Sequence, residues 1–73
     1  MLVVDDDPAI ITALERGLRV EGFAVRSASG GVAALREVEM RSPDVMVLDI
    51  NMPDLDGVSV TRTLRANGEE VPI

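Results

Sequence analysis

The stretch VMVLDINMPDLDGVSV, residues 45–60, decides the fold of this chain, because its apolar run ends abruptly on Asp49. A continuous run of large apolar residues is typical of a parallel strand that is covered on both faces. Asn51, Pro53 and Gly57 follow this run, and residues of these types mark a loop. The pattern therefore predicts a buried strand that carries a carboxylate at its carboxyl end.

Outside this stretch, short apolar runs alternate with segments whose apolar residues recur at helical spacing. Asp7 followed by Pro8 is a typical helix start, and Gly22 and Pro43 are typical of positions where helices end. The predicted elements are strands at 1–4, 23–28 and 44–49, helices from 8 to 21, from 31 to 41 and from 58 to 66, and the beginning of a fourth strand at 71–73.

This alternation of strands and helices predicts an α/β fold with one open parallel sheet. Connections of a dozen or more residues suit the right-handed crossovers between parallel strands. The alternating pattern of residues 23–28 is typical of a strand near a sheet edge. A chain of 73 residues is half or less of a common domain, so we expect a single unit that is cut short where the fourth strand begins.

The composition excludes several classes of function. The chain contains neither Cys nor His, which removes disulfides, the usual zinc ligands and any histidine base. A net charge of −6 repels nucleic acid, so we expect DNA contact only through another segment. No apolar run approaches the roughly 18 residues of a membrane span, and no signal peptide is recognisable. The expected location is the cytoplasm, with no membrane partner.

Acidic residues follow two of the predicted strands. Ligands of open parallel sheets gather beyond the carboxyl ends of the strands, where Asp5, Asp6 and Asp49 lie. If the first and third strands are neighbours, these carboxylates converge, and their mutual repulsion favours a divalent cation. Oxygen ligands without His or Cys select Mg²⁺, Mn²⁺ or Ca²⁺, and a shallow site with two or three carboxylates, one carbonyl and several waters fits Mg²⁺ best. Asp49 beside that cation is a candidate nucleophile for phosphorus, which would give an aspartyl phosphate.

The other aspartates have simpler interpretations. Asp7 is expected to cap the first helix, where a negative charge favours the helix dipole. Asp54 and Asp56 are expected to form turns or to start a helix. Asp49 alone could end a strand without any function, but its pairing with Asp5 and Asp6 favours a site.

The segments LVVDDDPAI and VMVLDINMPDLDG, with the spacing between them, resemble the receiver domain of two-component response regulators, the CheY-like family. The resemblance covers the whole chain, which corresponds to a little over half of such a domain. It implies a flavodoxin-like fold with strand order 2-1-3-4-5. It also implies that Asp49 is the phosphoacceptor, Asp6 a direct metal ligand and Asp5 a ligand through water. Asn51 would give a backbone carbonyl to the metal.

The resemblance further implies the biological role. Receivers take a phosphoryl group from a partner histidine kinase with Mg²⁺ bound, and they promote only their own phosphorylation. The output is commonly a DNA-binding domain, and LERGLRVEGF is similar to the winged-helix (OmpR/PhoB) class, more narrowly the actinobacterial PrrA type. The Ser or Thr of the fourth strand and the Lys of the fifth strand in the family pattern have no counterparts in residues 1–73.

Other functions stay open at this point. A receiver-like interaction module that is never phosphorylated fits the same residues. The segment DLDGV, residues 54–58, is similar to the nucleophile motif of haloacid-dehalogenase-type phosphatases, although that motif requires an apolar strand directly before Asp54. A sheet that stops at the third strand also has an open apolar edge, which could pair with a second copy as a homodimer.

Overall fold

The computed structural model describes residues 1–73, which form three strands and three helices in strict alternation. None of the three helices combines the length and the hydropathy that a bilayer crossing requires. The elements are β1 (Leu2–Val4), α1 (Pro8–Val20), β2 (Arg26–Ala28), α2 (Gly31–Met40), β3 (Met46–Leu48) and α3 (Gly57–Ala66).

The three strands form one parallel sheet in the order β2-β1-β3. In the register of the sheet, Val3 of β1 pairs with Ser27 on one side and with Val47 on the other. The predicted open parallel α/β sheet is confirmed, and β2 lies at an edge as expected. Because β1 is central and all three strands are parallel, the carboxyl ends of β2 and β3 both lie beside the carboxyl end of β1.

The two faces of the sheet are covered by different helices. Leu2, Val4 and Met46 are buried on the face that packs against α2 and α3. Val3 is also fully buried, on the opposite face, where α1 contacts β1 and β2. The main core cluster joins the first of these faces to the two helices and to the segment after α3: Leu2, Val4, Ala28, Ala34, Val38, Met46, Met52, Val60, Leu64 and Val71.

The prediction that β3 is covered on both faces is wrong for one of its residues. Val47 is 40% exposed, although its neighbour in the register, Val3, has no exposed surface. The reason is that α1 packs mainly over β1 and β2. An apolar groove of about 560 Å³ therefore borders this strand, and Val47, Ile50, Val58 and Ile73 are among the residues that line it.

The strands are shorter than their apolar patterns indicate. Residues 23–25 were predicted as strand but precede β2, and residues 44, 45 and 49 lie outside β3. Both outer strands pair with β1, which offers only the three residues Leu2–Val4. The length of the central strand therefore limits the length of its two neighbours.

Residues 71–73, where we expected a fourth strand to begin, lie beside β3 without forming a strand. The N–H of Met46 donates to the carbonyl of Pro72 at 2.8 Å, and Val71 is buried in the core. Arg65 holds this segment from α3, because its Nη2 donates to the carbonyl of Val71. One backbone hydrogen bond joins residues 71–73 to β3. These residues therefore lie where a fourth strand would lie, but they lack the repeated hydrogen bonds of paired strands.

Candidate metal centre

The sheet brings the carboxyl ends of β1 and β3 together. The N–H of Asp49 donates to the carbonyl of Val4 at 3.0 Å, which continues the β1–β3 pairing one residue beyond β3. The N–H of Asp5 donates to the carbonyl of Ala28 at 3.3 Å on the other side. Both aspartates are thus held by backbone hydrogen bonds to neighbouring strands, at the carboxyl ends of the strands, where open parallel sheets bind ligands.

Carboxylates from both strand ends form one cluster. Each of Asp5, Asp6 and Asp49 offers an oxygen that lies within 4.8 Å of the other two. Asp5 and Asp49 are half-buried, whereas Asp6 is exposed. The three residues that we singled out from the sequence therefore lie together, on an accessible surface.

The segment after β1 fixes the direction of Asp5. Its Oδ1 accepts a hydrogen bond of 2.9 Å from the N–H of Asp7. The Oδ1 of Asp7 in turn accepts from the N–H of Ala9 at 2.9 Å, which caps α1 as predicted. Asp7 is therefore engaged with the helix, and the other two members of the acidic triplet supply two of the three carboxylates of the cluster.

No arginine neutralises this cluster. The two ion pairs of the chain are Arg19–Glu15 at 3.3 Å and Arg26–Glu37 at 2.9 Å, and neither includes a residue of the cluster. Two unit charges about 4 Å apart repel by about 4 kcal/mol at an effective dielectric constant near 20. A divalent cation would remove this repulsion, and a set of carboxylate oxygens without nitrogen or sulfur suits Mg²⁺. The residues present thus fit that ion.

The loop after Asp49 returns to the end of β3. The N–H of Gly57 donates to the carbonyl of Ile50 at 2.9 Å, so residues 50–56 form a closed loop, hereafter the site loop. Met52 is buried in the core, while Asn51 is exposed two residues beyond Asp49. The assignment of the Asn51 carbonyl to a metal stays a prediction.

Both aspartates of the site loop, Asp54 and Asp56, accept hydrogen bonds from helix N–H groups. Asp56 caps α3, since its Oδ1 accepts from the N–H of Ser59 at 2.8 Å. Backbone and side-chain hydrogen bonds from Ser59 lower the pKa of Asp56 below 3.8. Asp54 instead caps α2, and hydrogen bonds from the N–H groups of Val32 and Gly31 lower its pKa below 3.8.

The sequence predicted that Asp54 and Asp56 form turns or start a helix, but it did not identify Asp54 as the residue that caps α2. The pair Gly30-Gly31 was the only available signal, because a helix that starts with two glycines has no side-chain cap of its own. Asp54 also lies in a loop, and not at the end of a strand as the haloacid-dehalogenase motif requires.

Comparison with known proteins agrees with this geometry. The family described as "Response regulator receiver domain" matches residues 1–73. The transcriptional regulatory protein PrrA of Mycobacterium tuberculosis is 55% identical over all 73 residues, which are 31% of that protein. The response regulator MprA of Mycobacterium leprae is 47% identical over all 73 residues, which are 32% of its length.

Solved structures give the same result. The receiver domain of the Francisella response regulator 1452 has a TM-score of 0.94 at 34% identity, covering 97% of this chain and 59% of that one. The response regulator TrrA of Thermotoga maritima, solved in complex with Mg²⁺-BeF, has a TM-score of 0.86 at 36% identity, covering 90% of this chain and 57% of that one.

The chain spans about a third of the length of the curated relatives and rather more than half of these solved structures. Its full length matches the family, and the fold and the clustered carboxylates agree with that match. The chain therefore belongs to the family of response regulator receiver domains.

Proposed function

We propose that this chain is a phosphorylation-dependent signalling module that accepts a phosphoryl group on Asp49 from a histidine kinase. The observation that carries the proposal is the convergence of carboxylate oxygens from Asp5, Asp6 and Asp49 within 4.8 Å at neighbouring strand ends. Asp6 would bind Mg²⁺ directly, Asp5 through water, and Asn51 through its backbone carbonyl. The bound ion would neutralise charge on the carboxylates and on the phosphoryl oxygens.

In the proposed reaction, a carboxylate oxygen of Asp49 attacks the phosphorus atom of a phosphohistidine. The oxygen–phosphorus bond forms as the nitrogen–phosphorus bond breaks, and the electron pair of the broken bond stays on the imidazole nitrogen. No base is required, because a carboxylate is ionised at neutral pH. The chain's own contribution is to hold the nucleophile at a strand end beside the metal ligands, since positioning dominates phosphoryl transfer. The product stays on the chain, which therefore acts on no outside substrate.

We further propose that residues 1–73 are the N-terminal part of one receiver domain in a cytoplasmic regulator of transcription. The relatives PrrA and MprA support this proposal, because the chain spans only about a third of each and PrrA is a transcriptional regulatory protein. With a net charge of −6, residues 1–73 would leave DNA contact to a separate output domain. The phosphoryl group would bias an equilibrium between inactive and active surfaces.

Intact mass spectrometry before and after incubation with acetyl phosphate and Mg²⁺ tests the proposal. We expect the natural polypeptide that carries residues 1–73 to gain one phosphoryl group, and the Asp49→Asn variant to gain none. Asp44→Asn is the matched control, because Asp44 is an exposed carboxylate before β3, at the opposite end of the strand. Its phosphorylation should equal that of the wild type.

The same measurement distinguishes the proposed function from the competing one. A receiver-like interaction module that is never phosphorylated would gain no mass with or without Asp49. An Asp49→Asn variant that accepted the phosphoryl group at the wild-type rate would refute the assignment of the acceptor. The mass of the untreated protein also tests the proposed extent, because a longer natural polypeptide exceeds the mass of 73 residues.

A further inference from the structure

Asp54 caps a helix to which it does not belong. Its Oδ1 accepts from the N–H of Gly31 and its Oδ2 from the N–H of Val32, both at 3.1 Å. The first N–H groups of any helix have no acceptor within that helix, and Gly30, the N-cap residue of α2, has no side chain. The site loop therefore supplies the cap that the sequence of α2 lacks.

The start of α2 fits closely against this loop. A β-carbon at Gly30 would lie 2.9 Å from Oδ2 of Asp54, and one at Gly31 would lie 2.4 Å from the carbonyl oxygen of Leu55. Neither distance is sterically allowed without movement. A larger residue at Gly31 would push the backbone of the loop away, whereas one at Gly30 would displace the Asp54 carboxylate that caps the helix. The two glycines thus allow the backbone of α2 to approach the site loop.

The site loop is consequently attached at two places. At its base, the N–H of Gly57 donates to the carbonyl of Ile50, and at its far end Asp54 is bound to α2. Asn51 lies between these two attachments. Because the loop is short and closed, the position of its far end limits the directions in which the Asn51 carbonyl can face.

We propose that Asp54 is a positioning residue of the metal site, which holds the site loop so that the Asn51 carbonyl faces Asp5, Asp6 and Asp49. The inference rests on the proposed function, because it presupposes that the Asn51 carbonyl binds Mg²⁺. A carboxylate suits this role better than an amide, since each of its two oxygens accepts from a different helix N–H, whereas an amide has only one acceptor oxygen. The hydrogen bonds from Val32 and Gly31 also lower the pKa of Asp54, because they stabilise the ionised carboxylate that accepts them.

Calorimetric titration with Mg²⁺ tests the inference in the natural polypeptide that carries residues 1–73. We expect Asp54→Ala to raise the Kd about tenfold, the lower end of the range for loss of an outer partner of a metal ligand. Asp54→Asn retains one acceptor oxygen and should raise the Kd less; it also carries the test if the alanine variant does not fold. Asp44→Ala removes the same charge at the opposite end of β3 and should leave the Kd unchanged.

The carbonyl ¹³C resonance of Asn51 separates positioning from a general loss of stability. We expect Mg²⁺ to shift this resonance in the wild type and to shift it less in Asp54→Ala, with both samples saturated. Wild-type affinity in the Asp54 variants overturns the inference and leaves the proposed function intact. A weakened affinity with an unchanged Asn51 shift overturns it as well. If the wild type does not bind Mg²⁺, both the inference and the proposed function fail.

Discussion

Gly57 lies where the site loop returns to the end of β3. A β-carbon at this position would be 2.5 Å from the carbonyl oxygen of Asp49 and 2.9 Å from the Cα atom of Ile50. Both neighbours are backbone atoms, so no side-chain rotation could relieve the overlap. The backbone of the proposed phosphoacceptor is therefore held directly against a residue without a side chain.

Gly57→Ala is expected to destabilise the protein by about 1–3 kcal/mol, because overpacking forces the backbone to shift. Urea unfolding followed by circular dichroism measures this change, since the chain has no Trp or Tyr. Gly17→Ala is the matched control, because Gly17 lies within α1, where an added β-carbon would meet no other part of the chain within 4 Å. It should stabilise the protein by about 0.5–1 kcal/mol. Equal effects of the two substitutions would contradict the close approach at Gly57.

At the residue scale, the sequence predicted local roles better than distant ones. Asp7 was expected to cap the first helix, and Asp56 to form a turn or to start a helix; Asp7 caps α1 and Asp56 caps α3, so both local roles are confirmed. The role of Asp54 depends on Gly31 and Val32, which precede it by 23 and 22 positions. Such a pairing exists only after the chain has folded, so no local pattern could indicate it.

At the scale of elements, the helices were predicted more accurately than the strands. The starts of α1 and α3 depend on the adjacent capping residues Asp7 and Asp56, and both helices begin within one residue of the prediction. The lengths of β2 and β3 depend on β1, with which both strands pair. Apolar patterns within the outer strands carried no information on that partner, and they predicted strands that were too long.

Two helices start on carboxylates of the site loop, which predicts a specific pH dependence. The folded-state pKa values of Asp54 and Asp56 lie below 3.8, the ordinary value that the unfolded chain retains. Their stabilisation is therefore present above about pH 4 and is lost as the pH falls through the lowered folded-state values. We expect the wild type to be more stable than the double variant Asp54→Asn/Asp56→Asn at about pH 6, and this difference to shrink toward about pH 2.5.

Urea unfolding at a series of pH values measures that difference. Asp44→Asn serves as the control, because Asp44 lies in the segment before β3 and caps no helix. Its effect on stability should be small at every pH. A difference between the wild type and the double variant that stayed constant down to about pH 2.5 would argue against the two caps.

At the scale of the whole molecule, the edge of the sheet at β3 is exposed. Val47 is 40% exposed and Ile50 is 61% exposed, and the adjoining groove is mostly apolar. Only Met46 of β3 pairs outward, with Pro72. Unpaired strand edges with apolar side chains bind other chains.

A polypeptide limited to residues 1–73 is therefore expected to associate with a second copy at this edge. Sedimentation velocity over a range of concentrations should show the association, and Val47→Lys should weaken it by placing a charge on the edge. Arg62→Lys is a conservative control on the same groove and should change little. A strictly monomeric 73-residue polypeptide that unfolds cooperatively would contradict this expectation.

The central position of β1 also constrains the order in which the protein folds during synthesis. Leu2–Val4 is synthesised before both of its partners, Arg26–Ala28 and Met46–Leu48. At a translation rate of about 5–20 residues per second, synthesis of β3 is complete roughly 2–9 s after synthesis of β1. The carboxylate cluster cannot exist before that moment, because Asp49 follows β3 directly. The nascent chain thus gains its centre of negative charge only when the third strand docks.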